Sequence, residues 1–408
     1  MNLLYISHTA PFDKASMAGE KTLNYYLKSF SKEKDINVKL ITVCNEKDKS
    51  RLDYEKYNIE AKVLVEKQDK VSCIIRKYKR AIRYIVFPND KYANFVSEIR
   101  RKFIINELYE LRNGGYYPDV IILEFTHSIL LVDEIKRIYG NTKIVGSSHD
   151  VNYRGSYRIY TYEKNIIKKF FRKRQYLNLK KREINAISKC DLIVTQNKND
   201  INIFREHELL RNKQYLCISP YYDSYSDIYR NSDERTLLFY GAMNRAENYK
   251  SVIWFIENVL YKLPDEFKFV IAGGNPPKVV KNYESNRIHV TGFLDINDLR
   301  KLFSSCMCMV VPLQLGSGIK VKVLEAFSGG IPVLTNEIGN EGIFAENGKS
   351  VIICNDAHDF ISAIYDAKNN TESLQVIGGN GKKYLAEHFD LLSGFNNYLK
   401  KVKEIVYN

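Results

Sequence analysis

Two glycines, two lysines and a glutamate stand close together in the stretch LGSGIKVKVLEAFSGGIPVL, which runs from Leu315 to Leu334. An apolar segment precedes this stretch and Ile331–Thr335 resembles a strand, so the pattern predicts strand, loop, helix and strand of a parallel sheet. A helix that begins after glycines attracts anions, because unpaired backbone N–H groups and the helix dipole converge there. The stretch therefore predicts an anion site at Gly316, Ser317 and Gly318.

The spacing of the polar residues suggests a nucleotide. At about 100° per residue, Lys322, Gly318 and Ser317 lie on the face of Glu325 in the predicted helix. A diphosphate at the helix start would place its ribose about 10–12 Å along the axis, where Glu325 could accept both hydroxyls. Lys320 lies about 140° from Glu325 and is the weaker ligand candidate. An ordinary ion pair between Lys322 and Glu325 on a solvated face explains the same spacing equally well.

Composition sets limits on the class of protein. A chain of 408 residues exceeds one ordinary core, so two domains are expected. The apolar runs have the length of strands, and no membrane-spanning helix or signal peptide is predicted. Seven cysteines without a C-x-x-C pair indicate reduced core thiols, as in a cytoplasmic protein.

The positive charge is concentrated in the first half. Residues 1–230 hold 43 Lys and Arg against 28 Asp and Glu, a balance of +15, whereas residues 231–408 hold 19 against 20, a balance of −1. Two stretches interleave basic with aromatic and aliphatic residues: IIRKYKRAIRYIVF at 74–87 and KNIIKKFFRKRQYLNLKKR at 164–182. Such stretches suit an anionic membrane surface. A solvated basic face over a buried apolar stripe is an equally valid interpretation, and nucleic acid is disfavoured because no recognition module accompanies the charge.

The predicted strands alternate with helical patterns in two blocks, which indicates two doubly wound α/β domains facing each other across a cleft. The predicted domains are 1–220 and 235–391, separated by a turn-rich linker at 221–234. The predicted strands are Asn2–Ser7, Val38–Val43, Ala61–Val65, Asp119–Glu124, Lys143–Ser147, Asp191–Thr195, Thr236–Tyr240, Phe267–Ala272, Arg287–Val290, Cys308–Val311, Ile331–Thr335 and Val351–Cys354.

Several kinds of site are not predicted. No G-x-G-x-x-G motif follows a strand, so a dinucleotide cofactor has no support. Gly348–Ser350 has the wrong spacing and context for a P-loop. No Asp-x-Asp pair occurs, and His and Cys do not cluster at the spacing of metal ligands. We therefore expect no cofactor and no metal, with helix ends and basic side chains binding any diphosphate.

The segment GSGIKVKVLEAFSGGIPVLTNEIGNEGI resembles the donor-binding signature of family four glycosyltransferases, which are retaining enzymes with the GT-B fold. Further segments resemble the family in the same order along the chain: LLYISHTAPFDKASMAGEKTLNYYLKSF, VGSSHDVNYR, LFYGAMNRAENYKSVIWFIENV, FVIAGGNPP and IHVTGFLDINDLRKLFSSCMCMVVPL. The resemblance implies two Rossmann-like domains, with a nucleoside diphosphate sugar bound in the second. It also implies that the final helix, at 392–408, packs back on the first.

The resemblance also assigns roles to single residues. Gly19 and Gly241 would let the backbone approach the donor, and Gly316, Ser317, Gly318 and Glu325 would also bind it. A structural turn explains Gly19 equally well. His149 would hold the sugar and Asp150 would orient His149, the alternative being a structural histidine. From their position at the end of a strand, Glu124 and His127 are also expected on the acceptor side, together with Asp150.

The sequence departs from the family at three positions. Ser317 replaces the first of two glutamates, Ala242 an arginine, and Asn248 a lysine. Arg245 and Lys322 are therefore expected to bind the diphosphate instead.

The function that the resemblance implies is retaining transfer of a sugar to a saccharide acceptor, with the leaving diphosphate helping to remove the acceptor proton. The basic stretches favour an acceptor on a polyprenyl-diphosphate carrier, used at the inner face of a bacterial membrane during capsule, O-antigen or exopolysaccharide assembly. A non-catalytic saccharide-binding or partner subunit is one alternative, and a GT-B epimerase or phosphorylase is another.

Overall fold

Short apolar segments separated by helices form the framework of the protein. A computed structural model describes residues 1–13, 15, 17–67, 91–92, 95–232 and 235–407. The chain divides into two units, Met1–Tyr221 with Leu391–Asn408, and Tyr222–Asp390. The predicted basic stretch at 74–87 lies outside the described residues.

The first unit has a parallel sheet that is buried on both faces. Its strands are β1 (Asn2–Ser7), β2 (Asn37–Asn45), β3 (Glu60–Glu66), β4 (Val120–Glu124), β5 (Lys143–Ser148), β6 (Leu192–Thr195) and β7 (Gln214–Cys217). Their order is β3-β2-β1-β4-β5-β6-β7, and every pair is parallel. All five residues of β4 are buried, as expected for a central strand covered by helices on both sides.

Helices cover both faces of this sheet. They are α1 (Ala18–Ser31), α2 (Glu98–Asn113), α3 (Phe125–Ile129), α4 (Val132–Ile138), α5 (Asn152–Tyr162), α6 (Ile166–Ile187) and α7 (Lys198–Arg205). Short 3-10 helices occupy Glu46–Arg51, Tyr54–Tyr57 and Glu208–Leu210. The apolar faces of the helices form one core cluster on each side of the sheet.

The second unit has its own parallel sheet. Its strands are β8 (Thr236–Tyr240), β9 (Lys268–Ala272), β10 (Ile288–Gly292), β11 (Cys308–Val311), β12 (Val333–Thr335) and β13 (Ile352–Ile353). Their order is β10-β9-β8-β11-β12-β13, and all pairs are parallel. The helices are α8 (Ala246–Asn258), α9 (Lys278–Lys281), α10 (Ile296–Ser305), α11 (Val321–Ser328), α12 (Ala357–Asn369) and α13 (Thr371–His388), and Leu260–Lys262 forms a 3-10 helix.

The segment between the sheets packs with the second unit. Tyr225, in the predicted linker, is buried in the core of that unit, and its backbone N–H donates to Ser328. The Arg230 guanidinium donates to the backbone carbonyls of Phe303 and Cys306 at the end of α10. This turn-rich segment therefore packs tightly against the second unit and is more than a connecting linker.

The last helix, α14 (Leu391–Tyr407), returns to the first unit. Phe395 and Tyr398 pack edge-on against Phe30 of α1, with ring centroids 5.2 and 5.1 Å apart. Within the described ranges, no helix is both long and apolar enough to cross a bilayer.

Candidate functional site

The order of the second sheet identifies where a ligand can bind. The chain progresses outward in one direction from β8 to β10 and in the other from β11 to β13, so β8 and β11 are neighbours at the point of reversal. Loops that leave the carboxyl ends of two such strands diverge and open a crevice. Gly241 directly follows β8, and the glycine-containing segment 312–320 follows β11. The predicted donor residues therefore meet at this edge.

Position 241 must be a glycine, because a side chain there would clash with neighbouring atoms. Its φ is +152°, and a Cβ at this position would lie 2.6 Å from Lys322 Nζ and 3.0 Å from Asn248 Nδ2. Gly273 approaches it from β9, where a Cβ would lie 1.8 Å from the Gly241 carbonyl oxygen. Only glycine permits both approaches, so the loop after β8 is shaped around the Lys322 ammonium.

Lys322 is the cation at the centre of this edge. Its Nζ donates to Asn248 Oδ1 at 2.6 Å and lies 4.3 Å from the centre of the Phe239 ring. Burial, together with the nearby positive charge of Arg245, lowers the pKa of Lys322 to about 7. A bound anion would offset both effects and restore the full charge on this ammonium.

Arg245 occupies the N-cap position of α8, and its side chain is 58% exposed and forms an ion pair with Glu247. The amino end of α8 therefore adds a partial positive charge and a guanidinium to the Lys322 ammonium. Asn248 Nδ2 donates to the Ala242 carbonyl oxygen at 2.8 Å, which fixes the orientation of the amide that holds Lys322. Two of the three predicted catalytic residues, Lys322 and Arg245, are thus brought together.

The predicted start of the donor helix is wrong. Helix α11 begins at Val321, so Gly316, Ser317 and Gly318 lie in the preceding loop and share no helical face with Glu325. Gly316 has φ +111° and Gly318 has φ +70°, which are backbone conformations that a right-handed helix excludes. These residues can contact a ligand only through the loop.

Two further charged residues of this segment are buried. Glu325 is 4% exposed, so the alternative of an ion pair on a solvated face is wrong. Lys320, the N-cap residue of α11, is also buried, and it donates to the Gly318 carbonyl oxygen and lies 3.9 Å from a Glu341 oxygen. The lysine that helical spacing ranked as the weaker candidate thus shapes the glycine loop.

The first unit has an equivalent edge, where β1 and β4 are neighbours. Phe125 follows β4 with φ +65°, and its ring stacks on His149 with centroids 4.1 Å apart. A Cβ on Gly19 would lie 2.9 Å from Phe125 Cε1 and 3.4 Å from His149 Nδ1. The structure therefore brings Gly19 and His149 together, with the strained Phe125 between them.

His149 is buried, and both of its ring nitrogens have partners. Nε2 lies 2.8 Å from Glu124 Oε2, and Nδ1 lies 2.6 Å from Gln196 Nε2. The geometry fits Nε2–H donating to the carboxylate while Nδ1 accepts from the amide. A sugar hydroxyl could bond to a ring nitrogen only by displacing one of these partners, so Glu124 and Gln196 orient this imidazole.

Of the other predicted acceptor-side residues, His127 lies in α3 and Asp150 in the loop after β5. His127 stacks on His8 with centroids 3.8 Å apart, and burial lowers the pKa of His8 well below its usual range. The backbone carbonyl of Asp150 accepts from Ser148 and Asn152.

Glu183 connects two helices of this edge, α3 and α5. It accepts from the Thr126 hydroxyl and from the backbone N–H groups of Asn152 and Tyr153, and burial raises its pKa to about 7. It therefore ties α3 to the start of α5.

Sequence reasoning missed Gln196, Phe125 and Glu183. Gln196 directly follows β6, and its position at a carboxyl strand end was a usable signal. The positive φ of Phe125 has no sequence signature, and neither has the long-range contact of Glu183.

Among the described residues, one group has the spacing of metal ligands: Asp356, His358 and Asp359, whose ligand atoms lie within 4.8 Å of one another at the start of α12. Asp356 caps that helix by accepting from the Asp359 N–H, and two of the three residues are exposed. The predicted donor residues are not members of this group.

The chain is similar to known proteins in sequence and in fold. Residues 234–370 match the family model described as "Glycosyl transferases group 1". An uncharacterized 44.6 kDa protein in the cps region of Klebsiella pneumoniae is 24% identical over 175 residues, which cover 40% of this chain and 45% of that protein. The chain therefore matches less than half the length of this curated relative.

Solved structures match over nearly the full chain. Anabaena HepE in complex with UDP has a TM-score of 0.66 at 12% identity and covers 99% of this chain and 100% of its own. Sucrose-phosphate synthase from Thermosynechococcus elongatus has a TM-score of 0.72 at 12% identity, with 99% of both chains covered. The lipopolysaccharide outer core galactosyltransferase WaaB has a TM-score of 0.63 at 14% identity, again over 99% of both chains. At these identities the likeness establishes a shared fold.

Proposed function

We propose that this chain, which has the GT-B fold, is a group 1 glycosyltransferase that takes its sugar from a nucleoside diphosphate sugar bound in the second unit. The observation that carries this proposal is the cluster at the β8–β11 edge, where Gly241 leaves room for Lys322 beside Arg245 and the amino end of α8. Two cations and a helix start suit a diphosphate better than a neutral ligand. Solved structures of HepE with UDP and with UDP-glucose support the same donor class.

In this proposal each donor residue has a separate task. Lys322 and Arg245 neutralise the negative charge that develops on the leaving diphosphate, which is the main requirement of this reaction. The glycine loop at 316–318 approaches the donor through its backbone, and the buried Glu325 accepts from the ribose hydroxyls. The reaction requires no metal, because these groups meet the charge of the diphosphate.

We also propose that the anomeric configuration is retained and that the acceptor is a saccharide on a polyprenyl-diphosphate carrier. The resemblance to family four enzymes supports retention. The relative encoded in the cps region of Klebsiella pneumoniae supports a role in polysaccharide assembly. In such assembly the enzyme would work at the inner face of the cell membrane, with His149 holding the sugar and with Glu124 and His127 on the acceptor side.

Titration calorimetry with a panel of nucleoside diphosphate sugars tests the donor proposal. The protein should bind at least one of them with chelator present, and Lys322→Ala should weaken binding while the matched variant Lys278→Ala, an exposed lysine on α9, should not. Binding of no nucleotide sugar would favour the non-catalytic alternative, to which Ser317, Ala242 and Asn248 give some support. Product formation from donor alone, or from donor and phosphate, would favour an epimerase or a phosphorylase. NMR of the product's anomeric proton then tests retention.

A further inference from the structure

Helices α5 and α6 form a hairpin with little core beneath its tip. They are joined by residues 163–165, and the first buried residue of α6 is Leu179. At 1.5 Å per residue, the part of α6 before Leu179 is about 20 Å long. We call this part, together with α5 and the turn, the hairpin.

Aromatic packing between its own helices gives the hairpin a defined shape. The Tyr157 ring lies 5.2 Å from the Tyr176 ring, and Tyr160 stacks parallel to Tyr176 at 6.4 Å. Asn165 caps α6 by accepting from the Lys168 N–H. These contacts keep the tip helical without burying its outer face.

The outer face of α6 carries large apolar side chains in solvent. Ile166 is 84% exposed, Ile167 70% and Phe170 62%. At about 100° per residue these three fall within one face, opposite the buried Leu179. Three exposed apolar residues within five positions form a patch that needs a partner.

The charge around this patch is predominantly positive, and Glu163 in the turn is the one acidic residue of the hairpin. Residues 164–182 include no Asp or Glu. The basic residues of this segment are Lys164, Lys168, Lys169, Arg172, Lys173, Arg174, Lys180, Lys181 and Arg182. Lys173 and Arg174 lie on the same outer face as Phe170, one turn further from the tip. The partner must therefore have an apolar region for these side chains and an anionic layer beside it for the basic residues.

We propose that the hairpin docks on an anionic lipid bilayer, with the Ile166, Ile167 and Phe170 side chains inserted below the headgroups and the basic residues on the lipid phosphates. A bilayer is the partner with an apolar layer under a negative surface. A nucleic acid would use the charges but would leave the exposed isoleucines without a role. The bilayer would be a partner in the proposed function. The docking rests on the proposed function only for its biological purpose, which is access to a lipid-linked acceptor.

Co-sedimentation of the full chain with phosphatidylcholine vesicles, with and without phosphatidylglycerol, tests the proposal. The wild type should bind the anionic vesicles at low salt and lose binding as salt rises, because the Debye length shortens from about 30 Å at 0.01 M to 8 Å at 0.15 M. Replacing Lys168, Lys169, Arg172, Lys173 and Arg174 by Gln should lower the partition coefficient by at least about 25-fold, since Lys173 and Arg174 lie on the outer face and each charge near the surface contributes roughly fivefold.

Matched variants separate the hairpin from general charge and apolarity. The charge control replaces five exposed lysines of the second unit by Gln: Lys262, Lys268, Lys278, Lys281 and Lys383. The apolar test variant replaces Ile166, Ile167 and Phe170 by Ser, and its control replaces Ile99, Leu209 and Tyr117, which are exposed to a similar degree. Both hairpin variants should lose binding and both controls should keep it. Three outcomes would overturn the proposal. Test and control variants could lose vesicle binding equally, the apolar test variant could bind like the wild type, or the wild type could fail to bind anionic vesicles at low salt.

Calorimetry of nucleotide-sugar binding by the same proteins distinguishes the failure of membrane docking from the failure of the proposed function. A hairpin variant that no longer binds vesicles should bind the donor normally, which also shows that it is folded. Vesicle binding by a protein that binds no nucleotide sugar would leave the hairpin proposal intact and contradict the proposed function.

Discussion

Lys322 Nζ, from helix α11, lies 2.6 Å from Oδ1 of Asn248 on helix α8. The amide is itself fixed by its bond to the Ala242 carbonyl oxygen, so the ammonium has one defined position beside Gly241. The resemblance to family four enzymes places a lysine where Asn248 stands. We infer that the charge lost at that position is supplied from α11, with the amide as its holder.

Removing this ammonium should abolish most activity. Lys322→Ala should lower turnover by about 100-fold or more, because it removes a donor aimed at the leaving group. Asn248→Ala should have a smaller effect, since it releases the ammonium without removing it. Steady-state kinetics with the identified donor measures both, and Lys278→Ala serves as the control. Near-normal turnover of Lys322→Ala would remove Lys322 from the mechanism.

Donor binding should depend on pH through the same group. The pKa of Lys322 is lowered to about 7 in the unliganded protein, and a bound diphosphate should raise it. Above pH 7 binding then requires uptake of a proton, so affinity should fall by up to about tenfold per pH unit. Calorimetry in buffers of different ionisation enthalpy measures the number of protons taken up when the donor binds. Lys322→Arg, which stays charged, should bind without the uptake, and a wild-type affinity independent of pH above 7 would contradict the assignment.

Gly241→Ala should lower the affinity for the donor in addition to its effect on folding stability. The new Cβ would lie 2.6 Å from Lys322 Nζ, and the residue would be strained at φ +152°. Gly348→Ala is the matched control, because its φ is +74° but no atom lies within 4 Å of the added Cβ. Gly348→Ala should cost about 1–2 kcal/mol in unfolding free energy, and Gly241→Ala should cost more because of the additional contact with Lys322, but only Gly241→Ala should lose donor affinity. Equal donor affinity in the two variants would show that Lys322 moves aside without consequence.

Strand positions could be predicted from the sequence because central parallel strands are continuous apolar runs. All twelve predicted strands correspond to observed ones, with β1 (Asn2–Ser7), β8 (Thr236–Tyr240) and β11 (Cys308–Val311) matching at both ends. Strand β7 was missed because its four residues begin with a polar glutamine and none of them is buried. The edge strand β3 also has no buried residue, but its seven residues include the apolar run 63–65, which identified it.

The sequence predicted which residues meet at the β8–β11 edge, but it did not predict their arrangement. Helical periodicity was extended across Gly316 and Gly318, although two positive φ angles keep the chain out of a helix there. The contact of Lys322 with Asn248 spans 74 positions, and no local pattern records it. Motifs thus locate the residues, while long-range packing decides which of their atoms face each other.

The pairing of His149 with Glu124 should be measurable as an energetic coupling. Both side chains are buried and 2.8 Å apart, so removing either leaves the other without its partner. A double-mutant cycle of unfolding free energies with His149→Ala and Glu124→Ala should give a coupling of about 1–3 kcal/mol. The exposed pair of His289 and Glu284, 2.9 Å apart, is the control and should give less than about 1 kcal/mol. Additive effects at His149 and Glu124 would mean that the pair does not hold the imidazole.

Glu183 should make the first unit less stable as pH rises. Burial raises the pKa of Glu183 from 4.5 to about 7, so between these values the folded protein holds a proton that the unfolded chain has released. Stability therefore falls as pH rises through this window, by up to about 3 kcal/mol. Glu183→Gln, which cannot ionise, should lose this dependence, whereas Glu257→Gln on α8 should keep it.

The readout for Glu183 must come from the first unit, because the sole tryptophan, Trp254, lies in the second. Hydrogen exchange of the peptide that begins at Asn152 is suitable, since the Asn152 and Tyr153 N–H groups donate to this carboxyl group. After correction for the intrinsic pH dependence of exchange, protection of these amides should decrease from pH 5 to pH 7.5 in the wild type and stay constant in Glu183→Gln. Constant protection in the wild type would show that Glu183 is already ionised in the folded protein at pH 5. Its hydrogen bonds would then outweigh the cost of burying its charge.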